Sequence, residues 1–371
     1  MKRKLAVLLG TLSLQAFAQS NVSLYGVVDV GFDSGSGNIA SKKGIDSGRN
    51  MTSRLGVKGT EELGGGLKAN FVLEGDLAAD TGTGVTTPFA GWASTDNLTG
   101  SANGGFQFNR VATVGLSGNS WGSVTAGRNY TPTFLLDFAY DPFGENGVGA
   151  NLITLTSAYY NPAGSVNHLR ASNLVTYTAP GNLGGFNAML SVAPSEVASN
   201  AALNQGGFTG GKIGYARGPL TVDFAWAKTA VAATGGLRTQ SVGAGYDFGV
   251  VRPVFEFSRD KLGAAGANGV KSGYLVGATA PLGAGQLRMS YAKVKTSADN
   301  IASGNVSQLA FGYVYNLSKR TALYASYSRV SNDNYRNTSA GGNSFGYSVG
   351  GAVSTINGSV NGYDVGIRTI F

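Results

Sequence analysis

Residues 22–32 read Val22-Ser23-Leu24-Tyr25-Gly26-Val27-Val28-Asp29-Val30-Gly31-Phe32, with Val22, Leu24, Val28, Val30 and Phe32 on one parity and Ser23, Tyr25 and Asp29 on the other. A period of two belongs to extended backbone, whose successive side chains point to opposite faces, so this segment is a strand. The far end of the chain repeats it: Tyr363, Val365, Ile367, Thr369 and Phe371 share one face against Gly362, Asp364, Gly366 and Arg368. In between, Leu67, Ala69, Phe71 and Leu73 oppose Lys68, Asn70 and Glu74, and Leu220, Val222, Phe224 and Trp226 oppose Thr221 and Asp223. A soluble sandwich and a membrane barrel both produce such alternation, so the second face decides. Here it is crowded with Gly, Ser, Thr, Asn and single charges, as a wet lumen would be, while aromatics cap the apolar faces like interfacial girdles.

The composition agrees. Glycine supplies 58 of 371 residues, over twice the average share of ~7%, and charged residues at 13% are scarce. Mean hydropathy is zero and no apolar run reaches the ~20 residues that a spanning helix needs. Cysteine is absent, so no disulfide framework exists. Lys2, Arg3 and Lys4 precede an apolar run from Leu5 to Leu14 and a small-residue site at Ala16-Phe17-Ala18, which predicts an export signal over residues 1–18 and a mature domain over 19–371. Without those three cations, 25 of the 28 basic residues remain against 20 acidic ones. They are scattered, and no nucleic-acid partner is expected.

Sixteen alternating segments can be counted, among them 49–59 and 106–116, and an even number closes an antiparallel barrel. Facing is ambiguous near 106–129, where Arg110 shares parity with Val114 and Leu116. Connections alternate between tight turns, such as Gly64-Gly65-Gly66, Gly218-Pro219 and Ser318-Lys319, and long loops. The longest, 130–169, either lies exposed or folds back into the lumen, since a barrel of 16 to 18 strands otherwise leaves a wide aqueous hole.

Several pieces carry a family resemblance: Gln19-Ser20-Asn21-Val22-Ser23-Leu24-Tyr25-Gly26, Ser53-Arg54-Leu55-Gly56-Val57-Lys58-Gly59, Thr125-Ala126-Gly127-Arg128-Asn129-Tyr130, Asp141-Pro142-Phe143-Gly144 and the terminal Phe371. In their order and spacing the chain resembles the trimeric 16-stranded general porins of Gram-negative outer membranes, in the branch typical of β-proteobacteria. Glu61-Glu62-Leu63 departs from that branch, which usually has Asp after the Glu before the glycine triplet. The resemblance implies an all-β fold, a 16-stranded antiparallel transmembrane barrel with its third loop in the pore. It also implies a homotrimer, contact with outer-membrane lipids and the barrel-assembly machinery, passive passage of small hydrophilic solutes and ions, an assembly signal at Phe371, and no cofactor or metal.

Charge at the narrowest point sets selectivity in such pores. The basic candidates are Arg54, Lys58, Arg110, Arg128 and Arg170, and parity sets Arg54 and Lys58 opposite Leu55 and Val57, hence in the lumen. The loop offers Asp137, Asp141 and Glu145 as the acidic side of a transverse field. Either these charges select solutes, with a mild preference for anions, or they pin the loop to the wall through ion pairs. A solute-specific channel and an adhesin acting through loops such as 331–360 are the other non-enzymatic readings. His168 is the one histidine, which rules out a multi-histidine zinc site and leaves an outer-membrane hydrolase whose triad uses that residue as the enzymatic alternative. Gly206-Gly207-Phe208-Thr209-Gly210-Gly211-Lys212 has phosphate-loop spacing, but Ile213 replaces the required hydroxyl residue.

Overall fold

The structure, a computed structural model, describes residues 21–84, 105–159, 169–195, 207–230, 236–263, 269–298, 301–335, 337–338, 344–345 and 349–371. The expected signal 1–18, His168, Gly206 and parts of the 130–169 and 331–360 loops lie outside these residues.

Eighteen strands are hydrogen-bonded in one sheet, and two of them, Lys42–Ser47 and Thr83–Gly84, are short additions at its rim. The remaining sixteen begin with β1 (Asn21–Gly37), β2 (Arg54–Gly64), β3 (Leu67–Ala78) and β4 (Val111–Gly118). There follow β5 (Gly122–Tyr130), β6 (Arg170–Thr178), β7 (Phe186–Ala193) and β8 (Phe208–Arg217). Next come β9 (Leu220–Thr229), β10 (Gly236–Tyr246), β11 (Arg252–Gly263) and β12 (Gly269–Leu282). The last are β13 (Gly285–Ala298), β14 (Ile301–Asn316), β15 (Thr321–Asp333) and β16 (Ser359–Ile370). Each pairs antiparallel with its neighbours in sequence, and β16 returns to β1 in register from Val27 opposite Ile370 to Gly37 opposite Val360. The sheet is therefore closed, with no edge left to pair.

Between β5 and β6 lie two helices, α1 (Pro132–Tyr140) and α2 (Leu152–Tyr159). Thr131 caps α1, its hydroxyl accepting from the Phe134 amide, and Pro132 stands at the first helical position, where its missing N–H costs nothing.

Two expected strands start later in the chain. The segment expected at 49–59 forms at Arg54–Gly64, because the amides of Asn50 and Met51 turn in to donate to the buried Asp29 carboxylate and hold residues 48–53 out of the ladder. The segment expected at 106–116 forms at Val111–Gly118. Arg110 thus precedes the strand, which removes the ambiguity that its parity created.

The outer face carries the large apolar residues, such as Val22, Leu24, Ile213 and Val365, and Phe186 there is 64% exposed. Left in water, such a surface would cost about 25 cal/mol per Å², so hydrocarbon is its natural neighbour. Aromatics ring both margins: Tyr215, Tyr246, Phe248 and Tyr315 near one, Trp226, Tyr274, Tyr291 and Tyr363 near the other. The inner face is small or polar over most of its extent, with hydroxyl pairs such as Thr176 with Ser191 and Ser241 with Ser258. One part is not polar. Ala225, Val254, Leu275, Ala292 and Val294 point inward and cluster with Leu136, Tyr140, Leu152 and Ile153 of the two helices.

Candidate functional site

The basic candidates converge on two carboxylates. The β2–β3 register sets Gly56 opposite Glu74 and Arg54 opposite Asp76, so both acids share the inner face with Arg54. Arg110 arrives just before β4, its amide donating to the Glu74 carbonyl. Its guanidinium donates to Glu74 Oε1, to Asp76 Oδ1 and to the Tyr130 hydroxyl, each at 2.6 Å. Arg54 Nε lies 3.5 Å from the other oxygen of Glu74, which also accepts from the Tyr25 hydroxyl at 3.0 Å. Lys58 sits 5.2 Å above the Tyr25 ring.

Arg170 donates to the same Tyr130 hydroxyl at 3.0 Å and stacks 4.5 Å from the ring centroid. Arg128 donates to the Asn109 carbonyl at 2.5 Å and to Ser172 Oγ at 3.0 Å, with no carboxylate partner among the described residues. A register shift opposite Gly127–Asn129 places these two groups, with Asn173 on β6 in the left-handed region at φ 58 and Gly127 at φ 130. Among the described residues, four guanidinium groups thus gather around two carboxylates on this part of the inner wall.

The acidic candidates are elsewhere. Asp137 is fully buried on α1 and accepts from Thr154 Oγ1 at 3.0 Å. Asp141 follows the helix and accepts backbone amides from Phe143, Glu145 and Asn151. Glu145, with φ 61, lies 3.0 Å from the same Thr154 hydroxyl, whose single hydrogen the two carboxylates share. Asp141 and Glu145 make no ion pair with any of the five basic candidates. Burial pushes the Asp141 carboxyl up to about 6, against the opposing pull of its three amides and Arg288. Burial, reinforced by neighbouring Asp141, Asp137 and Glu256, raises Glu145 well above the carboxylate range. The acidic side is therefore folded into its own hydrogen bonds, apart from the arginine cluster.

The 131–159 segment is bonded to inner-face residues along half the sheet. Tyr140 donates to Asp223 of β9 at 2.7 Å, which also holds Lys212 of β8. Asn151 donates to Glu256 of β11, Lys271 of β12 to the Ile153 carbonyl, and Gln308 of β14 to the Val148 carbonyl, each at 2.8 Å. The Val148 amide donates to Asp364 of β16 at 2.6 Å. Inner-face glycines make room for these contacts: a Cβ at Gly277 would meet Pro142 at 2.6 Å, one at Gly312 would meet Phe143 at 2.9 Å, and one at Gly243 would overlap Tyr140.

Glu74, Asp76, Tyr25 and Tyr130 were not singled out from the sequence. Their signal was present: two acids two residues apart in a chain poor in acid, on the parity opposite Leu73. Phe371 is exposed, and its amide and carbonyl exchange 3.1 Å hydrogen bonds with Gly26. Among the described residues no cluster of metal-ligating side chains occurs.

Residues 5–335 match the family model described as Gram-negative porin. The chain is 36% identical to outer membrane porin protein 32 of Delftia acidovorans, over 96% of this chain and 95% of that protein. It is 30% identical to an outer membrane porin of Bordetella pertussis, over 88% and 93%. Among solved structures, the anion-selective porin from Comamonas acidovorans matches with a TM-score of 0.78 at 32% identity, covering 95% of this chain and all of that one. OmpT of Vibrio cholerae matches in fold alone, with a TM-score of 0.65 at 15% identity.

Proposed function

The chain belongs to the Gram-negative porin family, and from that premise we propose that it prefers anions and that the wall around Glu74 and Asp76 sets this preference. It is an outer-membrane general diffusion porin, a passive channel and not an enzyme. The observation that carries the anion reading is the four-to-two excess of guanidinium groups over carboxylates around Arg110. A confined low-dielectric wall focuses that excess onto passing ions. The description of the Comamonas porin as anion-selective supports the same sign.

In this reading Arg54, Lys58 and Arg128 face the permeating solute, buried Arg170 adds its charge from beside Tyr130, and Arg110 anchors the two acids. The 130–169 loop lies in the lumen as the constriction, supported by its bonds to inner-face Asp223, Glu256, Lys271 and Gln308. Asp137, Asp141 and Glu145 hold the loop in shape. Residues 1–18 direct export, Phe371 serves as the signal to the barrel-assembly machinery, and three copies form the working channel. A planar-bilayer recording under a salt gradient tests this. The expected result is an ohmic current in triplet steps with a reversal potential of anion-selective sign. A cation-selective sign would overturn the role of the arginine wall, and saturation by one solute would point to a specific channel.

A further inference from the structure

We propose that the hydroxyl of Tyr130 is a positioning group for ion selectivity, which holds the Arg170 guanidinium beside Arg110 and back from the path of permeating ions. The proposal deepens the anion reading and rests on it, by naming what fixes one charge of the arginine wall.

Tyr130 is the last residue of β5, and Thr131, the cap of α1, follows it directly. It therefore stands where the wall turns into the loop. The β5–β6 register sets it opposite Arg170. Its one hydroxyl oxygen accepts from Arg110 Nη2 at 2.6 Å and from Arg170 Nη2 at 3.0 Å. The Arg170 guanidinium also lies 4.5 Å from the centroid of the ring, and that of Arg110 lies 6.0 Å from it. A guanidinium combines both modes well, because it is planar and carries its donors at its edge. On the loop side, Phe134 in the first turn of α1 stacks on the same ring at 5.3 Å, 15° from parallel. Phe134 is buried, so the ring that presents the hydroxyl is held in a packed site.

Two cations that meet on one neutral oxygen repel each other, so something must hold each in place. Arg110 is fastened independently, by Glu74 and Asp76 at 2.6 Å each. Arg170 is 6% exposed and lies within electrostatic range of both Arg110 and Arg128. Their repulsion drives it toward water, where charge is screened, and on the inner wall that water is the lumen. The Tyr130 hydroxyl opposes the drive. A hydrogen bond from a charged donor is stronger than one between neutral groups, and removing its acceptor under burial penalises the donor left behind. Phenylalanine at position 130 would keep the ring and its stack on Phe134 but take the acceptor away. Arg110 then stays with its two acids, and Arg170 swings into the pore.

The test is a double-mutant cycle read as the reversal potential of the full-length porin in a planar bilayer under a potassium chloride gradient, with heat-modifiable gel mobility as the check on folding. Y130F should raise the anion-to-cation permeability ratio about twofold, the effect of bringing one screened unit charge ~3 Å nearer to a passing ion. R170Q should lower the ratio about twofold, and Y130F/R170Q should match R170Q. Y327F, which removes a hydroxyl that donates to Asn361 of β16, should equal the wild type. Where Y130F does not fold, Y130L, which also lacks the acceptor, takes its place in the cycle. An unchanged or lowered ratio in the folded variant, or the same rise in the R170Q background, would overturn the proposal. The cycle reads a change in the ratio from any starting sign. A cation-selective wild type would therefore overturn the anion reading, while the cycle still decides whether Tyr130 acts through Arg170.

Discussion

Neutralising Arg54 and Arg128 together, as R54Q/R128Q, isolates the filter from the scaffold that supports it. Arg110 is unsuitable for this purpose, because its bonds of 2.6 Å hold both Glu74 and Asp76, and its loss would strand two poorly exposed carboxylates. Without Arg54, Glu74 still keeps Arg110 and Tyr25, and Arg128 is held by a carbonyl and a hydroxyl alone. The double variant therefore changes the local balance from four guanidinium groups against two carboxylates to two against two. A chloride ion passing ~6 Å from a guanidinium in water is stabilised by about 0.7 kcal/mol, and screening over a Debye length of ~10 Å leaves about 0.4 kcal/mol. Two such charges amount to about 0.8 kcal/mol, roughly fourfold in anion partition. The same contribution with opposite sign favours the cation, so the anion-to-cation permeability ratio should fall on the order of tenfold. The assay is the reversal potential in a planar bilayer under a tenfold potassium chloride gradient, with heat-modifiable gel mobility as the check on folding. A folded double variant with the wild-type reversal potential would remove both arginines from the filter and refute the charge-excess argument.

Other outcomes follow from the same geometry. Gly277→Val should lift the 131–159 segment off β12, because its Cβ would meet Pro142, and single-channel conductance should rise. Gly181→Ala, where a Cβ meets nothing within 4 Å, should leave conductance unchanged. Glu145 has its pKa raised by burial and by neighbouring acids, so its contribution to stability is full below the unfolded value and lost as pH rises through the folded one. Glu145→Gln should therefore raise the thermal midpoint at pH 8 and change it little at pH 4, measured by circular dichroism. Phe371→Ser should lower the fraction of chain that reaches the heat-modifiable folded form in lipid vesicles, since it removes the ring that packs over Gly26, where an added Cβ would meet it.

The sequence by itself determined the number of strands and, outside 106–129, which face of each meets lipid. Alternation is a local property: Val22, Leu24 and Phe32 stand on one face whatever their strand pairs with, and glycine turns such as Gly64-Gly65-Gly66 at positive φ mark where the chain reverses. It also placed Arg54 and Lys58 on the inner face. What it could not give was register. Gly64 pairs with Leu67, yet Glu62 pairs with Lys68, so a bulge at Leu63 shifts the β2–β3 ladder by one residue. Counted from the turn without that bulge, Arg54 would face Leu77; with it, Arg54 faces Asp76 and joins the Glu74 cluster. A one-residue slip exchanges the faces of every side chain. The partners of the 130–169 loop were equally hidden, because Asp223, Glu256, Lys271 and Asp364 come from strands far along the chain, and only closure of the sheet brings them to one loop. Facing follows from the chemistry of adjacent residues, whereas the charge cluster depends on pairings across the barrel that no local pattern encodes.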